Sequence, residues 1–218
     1  MKQDFVLQGE SYYSVLKRMH EVLKPRRYLE IGVSYGQSLS LAHEGTYAVG
    51  VDPSPHITYG LRAWTQLYKM PSDLFFAVYQ DKPFDLLFID GLHHFEAVVE
   101  DFKGAEECCA PHSIMLFHDT IPKNAETSTQ VEDPQFWTGD VWKLVPLLLE
   151  YRPDLTIFTI GCPPSGLTVI QGFGKGLGLP QEALEKYQNK EYSWLQGNET
   201  KELNIVENTP QVWGSLLS

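Results

Sequence analysis

The chain has 218 residues, of which 43% are hydrophobic and 12% aromatic, and a net charge of −11. That apolar content supplies the core of one large domain and excludes a disordered chain, while the acidic balance argues against nucleic acid or an anionic membrane as partner. Three cysteines, Cys108, Cys109 and Cys162, two of them adjacent, give neither a disulfide framework nor a zinc knuckle.

In chain order, residues 11–24 read as a helix, with Tyr12, Val15, Leu16, Met19, Val22 and Leu23 at helical spacing and Pro25 as the stop. RRYLEIG (26–32) is a strand running into glycine, QSLSLAHE (37–44) a helix and TYAVGVD (46–52) a second strand ending on an acid. A helix is expected over 56–65 and a weak third strand over 66–70, with Ser72 capping a short helix through Gln80. FDLLFID (84–90) is a buried strand. Residues 92–109 form the clearest amphipathic helix, with Phe95, Val98, Val99, Phe102 and Ala105 on one face and the adjacent cysteines near its end. SIMLFHD (113–119) is another buried strand, and the long loop after it is expected to act as a lid. A helix over 140–150 is expected to have Asp140 as its N-cap and Lys143 on its solvated face. LTIFTI and GLTVI, with a glycine-rich exit, follow as a closing strand pair. The polar tail holds one helical stretch near 181–195.

Strands alternating with helices predict an α/β, doubly wound, mostly parallel sheet with helices on both faces. The domain is expected to span residues 1–174, including the N-terminal helix, with 175–218 as a polar C-terminal extension. The opening residues MKQDFVLQGE carry no apolar leader and no run is long enough to cross a bilayer, so a cytoplasmic chain is expected. Ligands in such sheets bind beyond the carboxyl ends of the strands. Glu30, Asp52, Asp90 and Asp119 all stand there.

The first strand ends in Glu30-Ile31-Gly32-Val33-Ser34-Tyr35-Gly36. Gly32 lets a ligand approach the main chain, and Gly36 permits close packing. Asp52, ending the next strand, suits a ribose diol. The string is not the dinucleotide fingerprint G-x-G-x-x-G, nor a phosphate loop. E-x-G-x-x-x-G followed by a strand-ending acid resembles motifs I and II of class I methyltransferases, which use S-adenosylmethionine. The resemblance implies that Gly32 and Gly36 flank the methionine part and that Asp52 takes the ribose. It implies that Glu30 supports the loop or reaches the cofactor amine, and that Ser72-Asp73 lies near the adenine amino group.

A second cluster is Asp90-Gly91-Leu92-His93-His94 with His118-Asp119-Thr120. If the two strands are neighbours, about 4.8 Å apart, Asp90 and Asp119 converge on one rim. Two carboxylates that close need a cation or a proton between them, and a hard divalent ion answers that need. His93, with an ordinary pKa near neutrality, suits a general base. F-I-D-G-L-H-H-F-E, a helix and M-L-F-H-D-T are similar to the branch of class I enzymes that contains small-molecule and sugar O-methyltransferases. W-T-G-D-V-W-K (137–143) resembles the same branch. That resemblance implies a Rossmann-like sheet of about seven strands, with Asp90, His118 and Asp119 at a metal and His93 as base. His118 departs from the acid usual there and suits manganese, iron or zinc better than magnesium. His94 reads as an exposed or packing histidine. Trp137 and Trp142 read as core residues, with a substrate platform as the alternative.

The expected acceptor is a small molecule or sugar hydroxyl, with S-adenosylmethionine and a divalent cation (Mg or Mn) as cofactors and a homo-oligomer as a compatible assembly. Three other readings stay open at this level: metal-free N- or C-methylation, nicotinamide-dependent oxidoreduction, and a non-catalytic subunit of the same fold.

Overall fold

The computed structural model describes residues 4–217. The first helix, α1 (Tyr12–Leu23), is capped by Ser11, whose hydroxyl accepts from the Ser14 amide. A βα alternation follows: β1 (Arg27–Ile31), β2 (Tyr47–Val51), β3 (Trp64–Tyr68), α2 (Ser72–Val78), β4 (Phe84–Ile89), α3 (Phe95–Glu107) and β5 (Cys109–His118). After a long loop come α4 (Leu144–Tyr151) and the hairpin β6 (Thr156–Ile160) and β7 (Leu167–Gln171). The tail folds as α5 (Gln181–Gln188), α6 (Tyr192–Leu195), α7 (Glu199–Glu202), β8 (Ile205–Val206) and α8 (Pro210–Ser215).

All the strands join one eight-stranded sheet in the order β3-β2-β1-β4-β5-β7-β6-β8. The β3-to-β5 half is parallel, and β7 runs antiparallel to both β5 and β6. The sheet is therefore α/β and doubly wound, as expected, but has an eighth strand, β8, which the tail adds beside β6.

Side chains alternate across the strands and fill two cores. Leu29, Ile31, Val49, Leu87, Ile89 and Phe117 pack toward α3 and α4. Tyr28, Ala48, Leu86, Phe88 and Leu116 pack toward α1. The expected buried face of α3 is the observed one. Chain order reverses around β1, which pairs with both β2 and β4, so a crevice opens beyond its end.

Several local expectations are corrected. Residues 37–44 form no α-helix, only a 3-10 turn at Leu39–Leu41. Serine hydroxyls satisfy local groups instead: Ser40 donates to the Gln37 carbonyl and Ser38 to Glu30. Residues 56–63 are irregular, because His56 and Thr58 spend their amides on the carbonyls of Ser34 and Tyr35. β3 starts at Trp64, earlier than expected. Ser72 is the first residue of α2 rather than its cap, a place taken by Pro71. Asp140 holds the expected N-cap position, at the 3-10 turn Val141–Lys143 that leads into α4, but its side chain caps α3 instead, accepting from the Phe95 amide at 2.7 Å. Lys143 is buried rather than solvated, held by Asp140 at 2.9 Å and the Gln188 carbonyl at 2.8 Å. All three cysteines are free, and Cys109 opens β5 rather than lying in the helix.

Candidate active site

The parallel register sets the site. Ile31 lies level with Val51 on one side and Ile89 on the other, and Ile89 with Phe117. The next residues, Gly32, Asp52, Asp90 and His118, therefore emerge together at one rim. Amides continue the ladders there: Gly32 donates to Val51, Asp52 to Tyr68 and Asp90 to Ile31. The rim opens into a cavity of about 930 Å³, a size suited to a cofactor with a small acceptor.

Gly32 has a φ of +85°, and a Cβ there would lie 1.8 Å from the Asp90 carbonyl oxygen. The crossing of two strand ends admits no side chain. Asp52 ties down the loop that follows: its carboxylate accepts from the Ser34 amide at 2.8 Å and the Ser54 amide at 2.7 Å. Each oxygen keeps a lone pair for a hydroxyl on the cavity side. Glu30 and Gly36 do not line the cavity. Glu30 lies beneath the loop, fully buried, accepting from the Tyr28 hydroxyl at 2.6 Å and the Ser38 hydroxyl at 2.8 Å. Burial pushes its carboxyl up to about 8. Gly36 packs against Ile57. Asp73 lines the far end of the cavity and is exposed.

The structure brings Asp90, His93 and Asp119 together at the near end. His93 Nε2 stands 3.1 Å from Asp119 Oδ2 and 3.5 Å from Asp90 Oδ1. One donor atom from each of the three lies within 4.8 Å of the others. Asp119 takes a left-handed conformation with φ +57°, unusual for a residue other than glycine.

His118 stands behind this trio, 7% exposed. Its Nδ1 is 3.2 Å from Asp90 Oδ1 and 3.3 Å from Asp119 Oδ2, and its Nε2 is 3.2 Å from the Ser165 hydroxyl. Burial alone would push this imidazole down, but Asp119 and Asp90 outweigh it and lift it to about 10. The two carboxylates thus favour the protonated form of the imidazole between them. Burial would raise Asp90, yet His118 and His93 hold it well below the usual carboxylate range. His93 is itself raised, because the two carboxylates outweigh its burial.

Neighbours fix these groups. Tyr12 lies tilted against His118 with ring centroids 3.8 Å apart, and the Trp137 ring lies 5.0 Å from that of His93. The 120–139 loop is laced together: the Thr138 amide donates to the Thr127 carbonyl, Trp137 Nε1 to the Thr129 carbonyl, and Gln130 to Glu96. Gly139 has φ +60°, and a Cβ there would fall 1.8 Å from the His93 carbonyl oxygen. Tyr12, Ser165 and Gly139 escaped sequence reasoning in these roles. Tyr12 reads as one apolar residue of a helix face, and nothing near Ser165 marks it.

Comparison with known proteins bears on the fold. Residues 29–120 match the model of a methyltransferase domain. The uncharacterised protein y4gI of Sinorhizobium fredii is 29% identical over 157 residues, covering 61% of this chain but 16% of that protein. The chain therefore spans a small part of the relative it matches. Among solved structures, the chain is similar to the S-adenosylhomocysteine-bound methyltransferase PaMTH1 of Podospora anserina. The TM-score is 0.60 and the identity 19%, over 74% of this chain and 78% of that one. It is also similar to the O-methyltransferase TomG of Streptomyces achromogenes in complex with S-adenosylmethionine (TM-score 0.55, 17% identity, covering 74% and 79%). Residues 29–120 thus match a methyltransferase domain, and the chain shares the fold of these solved methyltransferases. Among the described residues, no helix is long and apolar enough to cross a membrane.

Proposed function

We propose that the chain methylates a hydroxyl of a small molecule or sugar, with His93 as general base. The convergence of Asp90, His93 and Asp119 on the rim of the cofactor cavity carries this reading. Bound S-adenosylmethionine would supply an electrophilic methyl group to the acceptor oxygen and depart as the neutral thioether, and His93 Nε2 would take the hydroxyl proton. There Asp119 and Asp90 stabilise the imidazolium. Asp52 and the Gly32 loop hold the cofactor, with Glu30 as a brace under the loop. Trp137 and the 120–139 loop cover the acceptor and exclude water. TomG is an O-methyltransferase by name, which supports oxygen as the accepting atom.

A metal-assisted variant is favoured by one observation: two carboxylate oxygens and one imidazole nitrogen stand within 4.8 Å of one another. That donor set fits a divalent ion of the manganese type. Asp90, His93 and Asp119 would hold it, with His118 behind them as a charged partner rather than a ligand. Such an ion supplies acidification of a nearby hydroxyl.

Calorimetric titration with S-adenosylhomocysteine, with and without manganese, tests both readings. Micromolar binding is expected, lost in Asp52→Ala. A manganese-dependent heat absent from Asp119→Asn supports the metal variant, and its absence from the wild type leaves His93 as a metal-free base. No binding by a folded sample sinks the methyltransferase reading. With an acceptor alcohol that is turned over, His93→Ala should lower kcat by about 100-fold or more while leaving the affinity for S-adenosylhomocysteine in place.

A further inference from the structure

The 120–139 loop is anchored at its two feet and exposed across its crown. Ile121, Thr127 and Ser128 are buried at one foot, Thr138 and Asp140 at the other, and residues 129–135 are exposed throughout. The Thr138 hydroxyl joins its amide in donating to the Thr127 carbonyl, which cinches the feet together. Trp137 travels with the crown, because its Nε1 donates to the Thr129 carbonyl while its ring lies against His93. Whatever holds the crown down therefore sets how Trp137 covers His93.

Gln130 is the crown's polar tie to α3. Its Nε2 donates to Glu96 Oε2 at 2.8 Å and reaches the Asp140 carboxylate only at 3.3 and 3.4 Å. Glu96 stands in the first turn of α3 and lines the cavity, as His93 does. Its other oxygen, Oε1, accepts from Gln188 Nε2 of the tail at 2.9 Å. One carboxylate thus spends each oxygen on a different segment, one 34 positions away and the other 92. An acid in the first turn favours its helix without any partner, so that role calls for neither glutamine. The strength suits a tie that opens for an acceptor to enter. Bonds to a charged group are the stronger kind, but Glu96 and Gln130 are both exposed, and water competes for each. Losing one such bond shifts an open-to-closed ratio by roughly three- to tenfold.

We infer that Glu96 is a positioning residue that latches the crown through Gln130, with Gln188 bracing the carboxylate, and so keeps Trp137 against His93. The bearing of the latch on an acceptor rests on the methyltransferase reading; the latch itself rests on these contacts. Sequence reading passes over Glu96, because its two partners lie in a loop and in the polar tail.

The test is cleavage of the folded chain by chymotrypsin after Phe136 or Trp137, followed by the masses of the fragments. When reclosing outpaces cleavage, the rate tracks the population of the open crown. Wild type, Glu96→Ala, Gln130→Ala, their double variant, Gln130→Lys and Gln188→Ala are compared, each checked by its thermal unfolding midpoint. Either single alanine at the pair should speed cleavage by roughly three- to tenfold. The double variant should be no faster than the singles, since both remove one bond. Gln130→Lys places an ammonium where it can donate to Glu96, so cleavage should return to near the wild-type rate. Gln188→Ala should speed cleavage by a smaller factor, about twofold. An unchanged rate in Gln130→Ala would overturn the latch. So would effects that multiply in the double variant, as expected of two residues acting separately, or a lysine that does not rescue. A Gln188→Ala rate equal to that of wild type would overturn bracing by the tail. Titration with S-adenosylhomocysteine on the same samples separates the two readings: a wild type that binds none overturns the methyltransferase reading, while the cleavage rates still decide the latch.

Discussion

Glu30 occupies the position from which a carboxylate would be expected to reach the cofactor, yet it is sealed beneath the glycine loop with Tyr28 and Ser38. Burial pushes it up to about 8, against an ordinary value of 4.5. The sign follows from proton counting. Between 4.5 and 8 the unfolded chain has released this proton while the folded chain keeps it, so folding stability falls as pH rises through that window. Glu30→Gln resembles the protonated form and removes the dependence. Chemical denaturation from pH 5 to 9 should show the variant gaining on the wild type by at most about 1.4 kcal/mol per pH unit up to pH 8, then running parallel. Equal pH dependence in both proteins would show Glu30 to be ionised in the fold. At this scale the sequence was most legible where chemistry coincides with a strand end. Asp52, Asp90, His93 and Asp119 stand where their spacing puts them, because parallel register brings successive strand ends to one rim. It was least legible where a role depends on a distant contact, as with Ser165 under His118 or Glu96 between Gln130 and Gln188.

Strands were easier to read than the segments between them. FDLLFI and SIMLFH are apolar throughout and have no competing state in a covered parallel sheet. QSLSLAHE carries serines and the 56–65 segment a glycine, whose local hydrogen bonds and backbone freedom outweigh a weak helical pattern. Capping was legible in kind but not in partner. Asp140 is a capping acid, but it caps α3, whose first residue Phe95 lies 45 positions earlier. The same carboxylate holds buried Lys143, and the Asp140 amide bonds to the His93 carbonyl. Asp140→Ala therefore removes a cap and leaves a buried ammonium with only the Gln188 carbonyl. Urea unfolding should show a loss of roughly 4 kcal/mol, combining about 1 for the cap with about 3 for an unpaired buried charge. A loss within the range of an ordinary surface substitution, about 0.5 kcal/mol, would mean that Lys143 finds water instead.

At the scale of the whole molecule, the polar composition after Gly174 suggests an appendage, but the chain folds back onto the sheet. Tyr187, Tyr192, Leu195 and Leu203 lie in the same core as Phe117 and Trp142, and β8 pairs with β6. Composition misleads here because four buried side chains, spaced along short helices, are diluted by the charged residues around them. Burial of each contributes about 1.5–3 kcal/mol, roughly 6–12 together, comparable to the whole stability of an ordinary domain. A chain truncated after Gly174 should therefore lose its cooperative transition and its near-ultraviolet circular dichroism, and exposed β6 should drive it into aggregates on size exclusion. Because Lys143 bonds to Gln188 and also to Asp140, which fixes His93, the truncation should disturb the active-site end too. If the truncated chain instead unfolds cooperatively and binds S-adenosylhomocysteine as tightly as the full one, the boundary near residue 174 is a true domain limit. The tail's burial would then be a docking contact that the catalytic sheet does not need.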